Sequence, residues 1–93
     1  MVKFTTIQSE HASKYLTVLC RHFARKVDST WDDDRGHVTF PMGEASMLVD
    51  HEKQQLTISC SASDEDKLKG VIGIIESHVH LFARREPIAL VWQ

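Results

Sequence analysis

Residues 56–63 read Leu-Thr-Ile-Ser-Cys-Ser-Ala-Ser, an unbroken alternation of apolar and hydroxyl side chains. Successive side chains of a strand point to opposite faces. Leu56, Ile58, Cys60 and Ala62 therefore make one surface, and Thr57, Ser59, Ser61 and Ser63 the other. The first surface needs an apolar layer over it; the second meets water or a partner. A chain containing this strand is predicted to build a sheet covered on one side only.

The covering layer is legible as two amphipathic helices. Ala12, Tyr15, Leu16, Leu19, Cys20 and Phe23 recur at the i, i+3, i+4, i+7 spacing of one helix, with Lys14, Arg21 and Arg25 opposite. Ser9 is the expected N-cap, Glu10 lies in the first turn, and the helix is expected to stop near Lys26. Leu68, Val71, Ile72, Ile75, Val79 and Phe82 define the second helix. It is read as opening on a capping-box-like Ser63–Asp66 pair and closing before Pro87. Gly70 and Gly73 inside it, each costing about 1 kcal/mol against alanine, are assigned to close approach of the sheet or the other helix.

The remaining segments alternate as strands: 3–8 first, then 27–32, 37–42 and 44–50, separated by the acidic turn Asp32–Gly36, by Gly43 and by His51–Gln54. Ile88–Trp92 reads as a closing strand. Trp31, Phe40 and Trp92 fall on the apolar phase, with the indoles reaching a partner at the rim. The order is β-α-β-β-β-β-α-β, an α+β fold in which both helices lie on one face of a curved antiparallel sheet. This order resembles one half of the TATA-binding-protein fold.

Ninety-three residues are expected to form one domain, 1–93. The longest apolar runs span about five residues, far short of a membrane span. The amino terminus carries no apolar stretch of a secretory signal, and a cytoplasmic location is expected. A net charge of −2 argues against nucleic-acid binding, which needs concentrated Lys and Arg. Cys20 and Cys60 lie on apolar faces of different elements and read as buried thiols of a reduced compartment. No cofactor-binding glycine loop, nucleophile elbow or zinc-protease motif is present, and no cofactor is expected.

The segments "HASKYLTVLCRHFARKV", "FPMGEASM" and "SHVHLFARREPIALVW" resemble a small bacterial family of domains of unknown function, number 2218. The resemblance covers nearly the whole chain. It implies a stand-alone protein, or a domain accompanying flavin-dependent siderophore-interacting reductases, with an accessory role near iron uptake. It brings no established reaction and no catalytic residues.

Phe-Ala-Arg followed by a second cation occurs twice, at Phe23–Lys26 and Phe82–Arg85. Each copy sits at a helix end, where cations offset the partial negative charge of unpaired carbonyls. If the fold joins the two ends, Arg25, Lys26, Arg84 and Arg85 form a basic patch for an acidic protein surface or an anionic ligand. This binding or accessory role is the first functional reading.

The second reading is a histidine metal site. His22 and His78 flank the two helical stripes and would have to meet, with Cys20 or a carboxylate as a further ligand. His80 points away from His78's face, and His11 lies three turns from His22. The acidic turn at residues 32–36 lacks the calcium-loop pattern and reads as solvated. The third reading is an enzyme, which requires an ordered pocket holding His22, His78 or His37 beside Ser or Cys. His37 would project to the Ser/Thr face. Ile74 and Leu81 lie off the main stripe of the second helix and are the candidates for a homodimer contact.

Overall fold

The computed structural model describes residues 1–83 and 88–93. Strand β1 (Val2–Gln8) leads into helix α1 (Ala12–Phe23). Four strands follow, β2 (Asp28–Trp31), β3 (Arg35–Phe40), β4 (Gly43–Asp50) and β5 (Gln55–Ala62), then helix α2 (Glu65–Phe82). The five strands form one antiparallel sheet in the order β1-β5-β4-β3-β2. The first strand thus pairs with the last, and the remaining neighbours are consecutive hairpins.

Register makes the two faces continuous across the strands. Ile7, Leu56 and Val49 stand in one row, and Thr5, Ile58, Met47 and Gly36 in the next. All are buried, and Ile7, Val49, Leu56, Ile58 and Met47 join Val38, Phe40, Ala45 and Cys60 in one apolar cluster with Leu16, Leu19, Phe23, Leu68, Val71, Ile75 and Val79 of the helices. Both helices touch β4 and β5 and each other. They cover the same face, as the alternation of residues 56–63 requires. The other face presents Phe4, Ser59, Ser46, His37 and Thr30 in one row and Thr6, Thr57, Leu48 and Arg35 in the next.

Several local expectations are corrected. The N-cap of α2 is Asp64 rather than Ser63: the Asp64 carboxylate accepts from the Lys67 N–H at 2.8 Å, while Glu65 and Asp66 occupy the first turn. Ser9 does not cap α1 directly; its hydroxyl accepts from the His11 N–H at 3.0 Å one turn ahead of the helix. Gly43 opens β4, and the reversal before it falls on Pro41 and Met42. A Cβ on Gly43 would collide with the Ser61 carbonyl and approach Val71 Cγ2 to 2.9 Å, so close packing demands this glycine. Gly70 and Gly73 do not serve close approach. A Cβ on Gly70 would meet Met42 Cγ at an ordinary 3.8 Å, and one on Gly73 would meet nothing within 4 Å.

Residues 88–92 carry no strand ladder. Ile88, Leu90 and Trp92 pack half-buried against the core, and the Trp92 indole N–H donates to Glu76 of α2 at 2.6 Å. Held there, the segment reaches β1 only through Gln93, which exchanges both backbone bonds with Phe4 at 2.9 and 3.1 Å. Trp31 does stand on the core phase opposite Gly36, but β2 is the sheet edge and leaves it 37% exposed. Both thiols are free and buried. Cys20 Sγ points toward Met47 Sδ at 3.8 Å. Among the described residues no helix is long and apolar enough to cross a membrane.

Candidate functional site

Helix α1 ends at Phe23 because its last apolar position is spent there and a tight turn follows. Arg25 and Lys26 donate their N–H groups to the His22 and Phe23 carbonyls, and Val27 donates to Phe23. The turn delivers the chain into β2 and leaves the Arg25 and Lys26 side chains exposed at the helix C-terminus, where positive charge is favoured. Across from it stands the middle of α2, with Ile74 and His78 one turn apart. The Pro41–Met42 reversal closes the third side.

These elements enclose a cleft of about 380 Å³. Its walls are Phe23, Val27, Phe40, Pro41, Met42 and Ile74; His22 and His78 line it, with Arg25 and Lys26. The rings form a contiguous aromatic group. His22 and His78 have centroids 4.8 Å apart, Phe23 lies 4.7 Å from His78, and Phe40 meets Phe23 edge-on at 5.2 Å. Phe82 adds an edge contact to His22 at 5.4 Å.

The protonation pattern follows from the partners. His78 Nδ1 lies 2.7 Å from the Ile74 carbonyl one turn back. A carbonyl only accepts, so Nδ1 carries the proton and the neutral ring presents a bare Nε2. Partial burial holds His22 below the ordinary imidazole range, assisted by His78, Arg25 and Lys26. The cleft is therefore apolar within and cationic at its rim, and a bound anion would oppose the desolvation that keeps His22 from its proton.

The two helices bring His22 and His78 together, as the metal reading required. The further ligands are absent from that meeting: Cys20 lies in the core toward Met47, and among the described residues no group of three His, Cys, Asp or Glu side chains is placed to hold a metal ion. Arg25 and Lys26 stand at the cleft, whereas Arg84 and Arg85 lie outside the described residues. Ile74 is half-buried and belongs to the cleft wall; Leu81 is 46% exposed. Val27, Phe40, Pro41 and Met42 fall in segments whose sequence reads as strands, and no local signal marks them as lining. A second, broader concavity of about 730 Å³ lies on the open sheet face around His37 and Ser46.

The model of a family described as uncharacterised proteins conserved in bacteria, domain of unknown function 2218, matches residues 5–93. The chain belongs to this family. No curated protein sequence matches this family 2218 chain. Among solved structures it is similar to the NMR structure of PA4090 from Pseudomonas aeruginosa, with a TM-score of 0.80 and 22% identity over 99% of this chain and 94% of that one. Likeness at this identity establishes the shared fold.

Proposed function

We propose that this family 2218 domain is a binding or accessory module, non-catalytic at the cleft between the end of α1 and α2. The ligand is an organic anion with a flat apolar body. One observation carries the reading: apolar walls, two imidazoles and the Arg25–Lys26 pair face the same 380 Å³ space. That is the usual make-up of a small-molecule site, an apolar lining with a few convergent polar groups. The body would stack among Phe23, Phe40 and His78, and the negative group would meet Arg25, Lys26 and the imidazoles.

A titration of aromatic carboxylates followed by two-dimensional NMR tests this. Saturable shifts centred on His22, His78 and Met42 are expected, with affinity reduced at least about tenfold in Arg25→Glu/Lys26→Glu. Shifts scattered over the surface, or unaffected by the charge reversal, would overturn it. The resemblance to domains that accompany flavin-dependent siderophore-interacting reductases supports an accessory place near iron uptake in the cytoplasm, a setting also suited to two unpaired thiols. A pull-down from iron-starved cells is expected to bring a flavoprotein, and its absence would sever that link. The exposed Leu81 supports a homodimer contact, and sedimentation at high micromolar concentration reads it directly.

A second reading has the 4.8 Å approach of His22 and His78 in its favour. A metal ion held by both rings would move both ring signals at one equivalent of zinc. Unmoved signals end that reading.

A further inference from the structure

The open face of the sheet carries a constellation that the cleft does not use. His37 and Ser46 are directly opposed in the β3–β4 register, and His37 Nδ1 lies 3.0 Å from Ser46 Oγ. On the other side of the ring, Nε2 faces Glu44 Oε2 at 3.3 Å. The remaining Glu44 oxygen accepts from Ser61 Oγ at 3.4 Å. A carboxylate beside Nε2 stabilises the proton there, so Nδ1 keeps its lone pair and Ser46 donates to it. The arrangement is hydroxyl, base and orienting carboxylate, each within reach of the next.

We infer that Ser46 is a base-activated nucleophile, with His37 as its base and Glu44 as the positioning carboxylate, and that the open face takes a small acyl group from a carboxylic ester. Ser46 stands at a broad concavity of about 730 Å³ rather than on a flat wall. That volume is the size of a small-molecule site. Leu48, on the open face and 54% exposed, gives it apolar surface to receive the ester's alcohol portion. Ser59, directly across from Ser46 on β5, and Arg35 in the adjoining row line the same space and are placed to donate to a developing oxyanion.

The step balances without a cofactor. Ser46 Oγ bonds to the acyl carbon while its proton passes to His37 Nδ1. The tetrahedral adduct then collapses, breaking the bond to the leaving alkoxide, which takes that proton and departs as alcohol. Water repeats the sequence on acyl-Ser46, releasing the carboxylic acid and restoring the hydroxyl. His37 and Glu44 side chains are 42% and 52% exposed, so substrate has open access, and bulk water dilutes the electrostatic advantage. The expected catalyst is slow, and acylation is the step to read. The site lies across the sheet from the cleft, so failure of ligand binding there leaves this inference intact.

The test treats the full chain with a fluorophosphonate and, separately, with p-nitrophenyl acetate, followed by intact mass and peptide mapping. One adduct per chain at Ser46 is expected, absent in Ser46→Ala and at least tenfold slower in His37→Gln, with a smaller loss in Glu44→Gln. The three positions are solvent-facing, and NMR dispersion checks that each variant is folded. As a second measurement, the wild-type acylation rate should rise with pH along the same curve as the His37 ring signal. No adduct, an adduct on another side chain, a Ser46 adduct indifferent to His37, or a rate that ignores the His37 titration would each overturn the proposal.

Discussion

Replacing Gly73 and Gly43 by alanine, one at a time, should move stability in opposite directions. Gly73 lies in the interior of α2, where glycine costs about 0.8–1.0 kcal/mol against alanine. An added Cβ there meets no atom within 4 Å. The Ser77 hydroxyl bonds to the Gly73 carbonyl at 2.9 Å, on the backbone, and survives the change. Nothing offsets the helix gain, so Gly73→Ala should stabilise by about 1 kcal/mol. For a domain of this size that raises Tm by roughly 4–8 °C.

Gly43 sits between β5 and α2. Its Cβ would collide with the Ser61 backbone carbonyl and crowd Val71 Cγ2 at 2.9 Å and Ala62 Cβ at 3.1 Å. The carbonyl belongs to the neighbouring strand, so relief requires parting β4 from β5. Gly43→Ala should cost about 3 kcal/mol, the upper range of overpacking. Urea unfolding followed by circular dichroism measures both, with the slope checked for a single transition. If Gly73→Ala is neutral or destabilising, the reasoning that α2 shows open space at that position fails. A tolerated Gly43→Ala would refute the packing between β5 and α2.

Three further outcomes follow from buried groups and from the cleft. Thr5 Oγ1 is buried without a partner among the described residues, so the near-isosteric Thr5→Val should stabilise by about 1 kcal/mol; lower stability in the same urea assay would show that the hydroxyl is paired. Burial pushes the Cys60 thiol up to about 12 and raises Cys20 as well, so a disulfide reagent at pH 8 should find neither until the chain unfolds; fast native labelling would contradict their burial. His22 is held below its ordinary value, so the unfolded chain takes up its proton first. Its contribution to stability is complete above about pH 6.5 and falls as pH drops below that, levelling off beneath the folded value. His22→Gln should narrow the stability difference between pH 7.5 and 5.5, and an unchanged difference would remove His22 from the balance.

The same imidazole ties stability to ligand. An anion in the cleft favours the charged ring, so aromatic carboxylates should bind more tightly as pH falls from 8 to 6, with proton uptake visible by calorimetry in buffers of different ionisation enthalpy. Affinity independent of pH would place the anion away from His22.

What the chain determined by itself was local. The alternation at residues 56–63 assigned each side chain to a face, and the helical spacing of Ala12–Phe23 and Leu68–Phe82 chose the buried stripes, because strand and helix periods are properties of consecutive residues. One uncovered sheet face followed from those periods, as did the placement of cations after Phe23. Tertiary structure decided everything that depends on residues far apart. The crossing of α1 and α2 brought His22 within ring contact of His78 and turned Cys20 away from both. The Pro41–Met42 reversal supplied a wall of the cleft that strand alternation does not mark. The β3–β4 register set His37 against Ser46, and a slip of one residue would have put the two side chains on opposite faces of the sheet. The glycines make the same point: local pattern places Gly43 in a turn and Gly73 in a helix, and only packing shows that a Cβ on Gly73 would face open space while one on Gly43 would meet a neighbouring strand's carbonyl. Periodicity constrains direction along one element; register and crossing set distances between elements, and the chemistry of both sites depends on those distances.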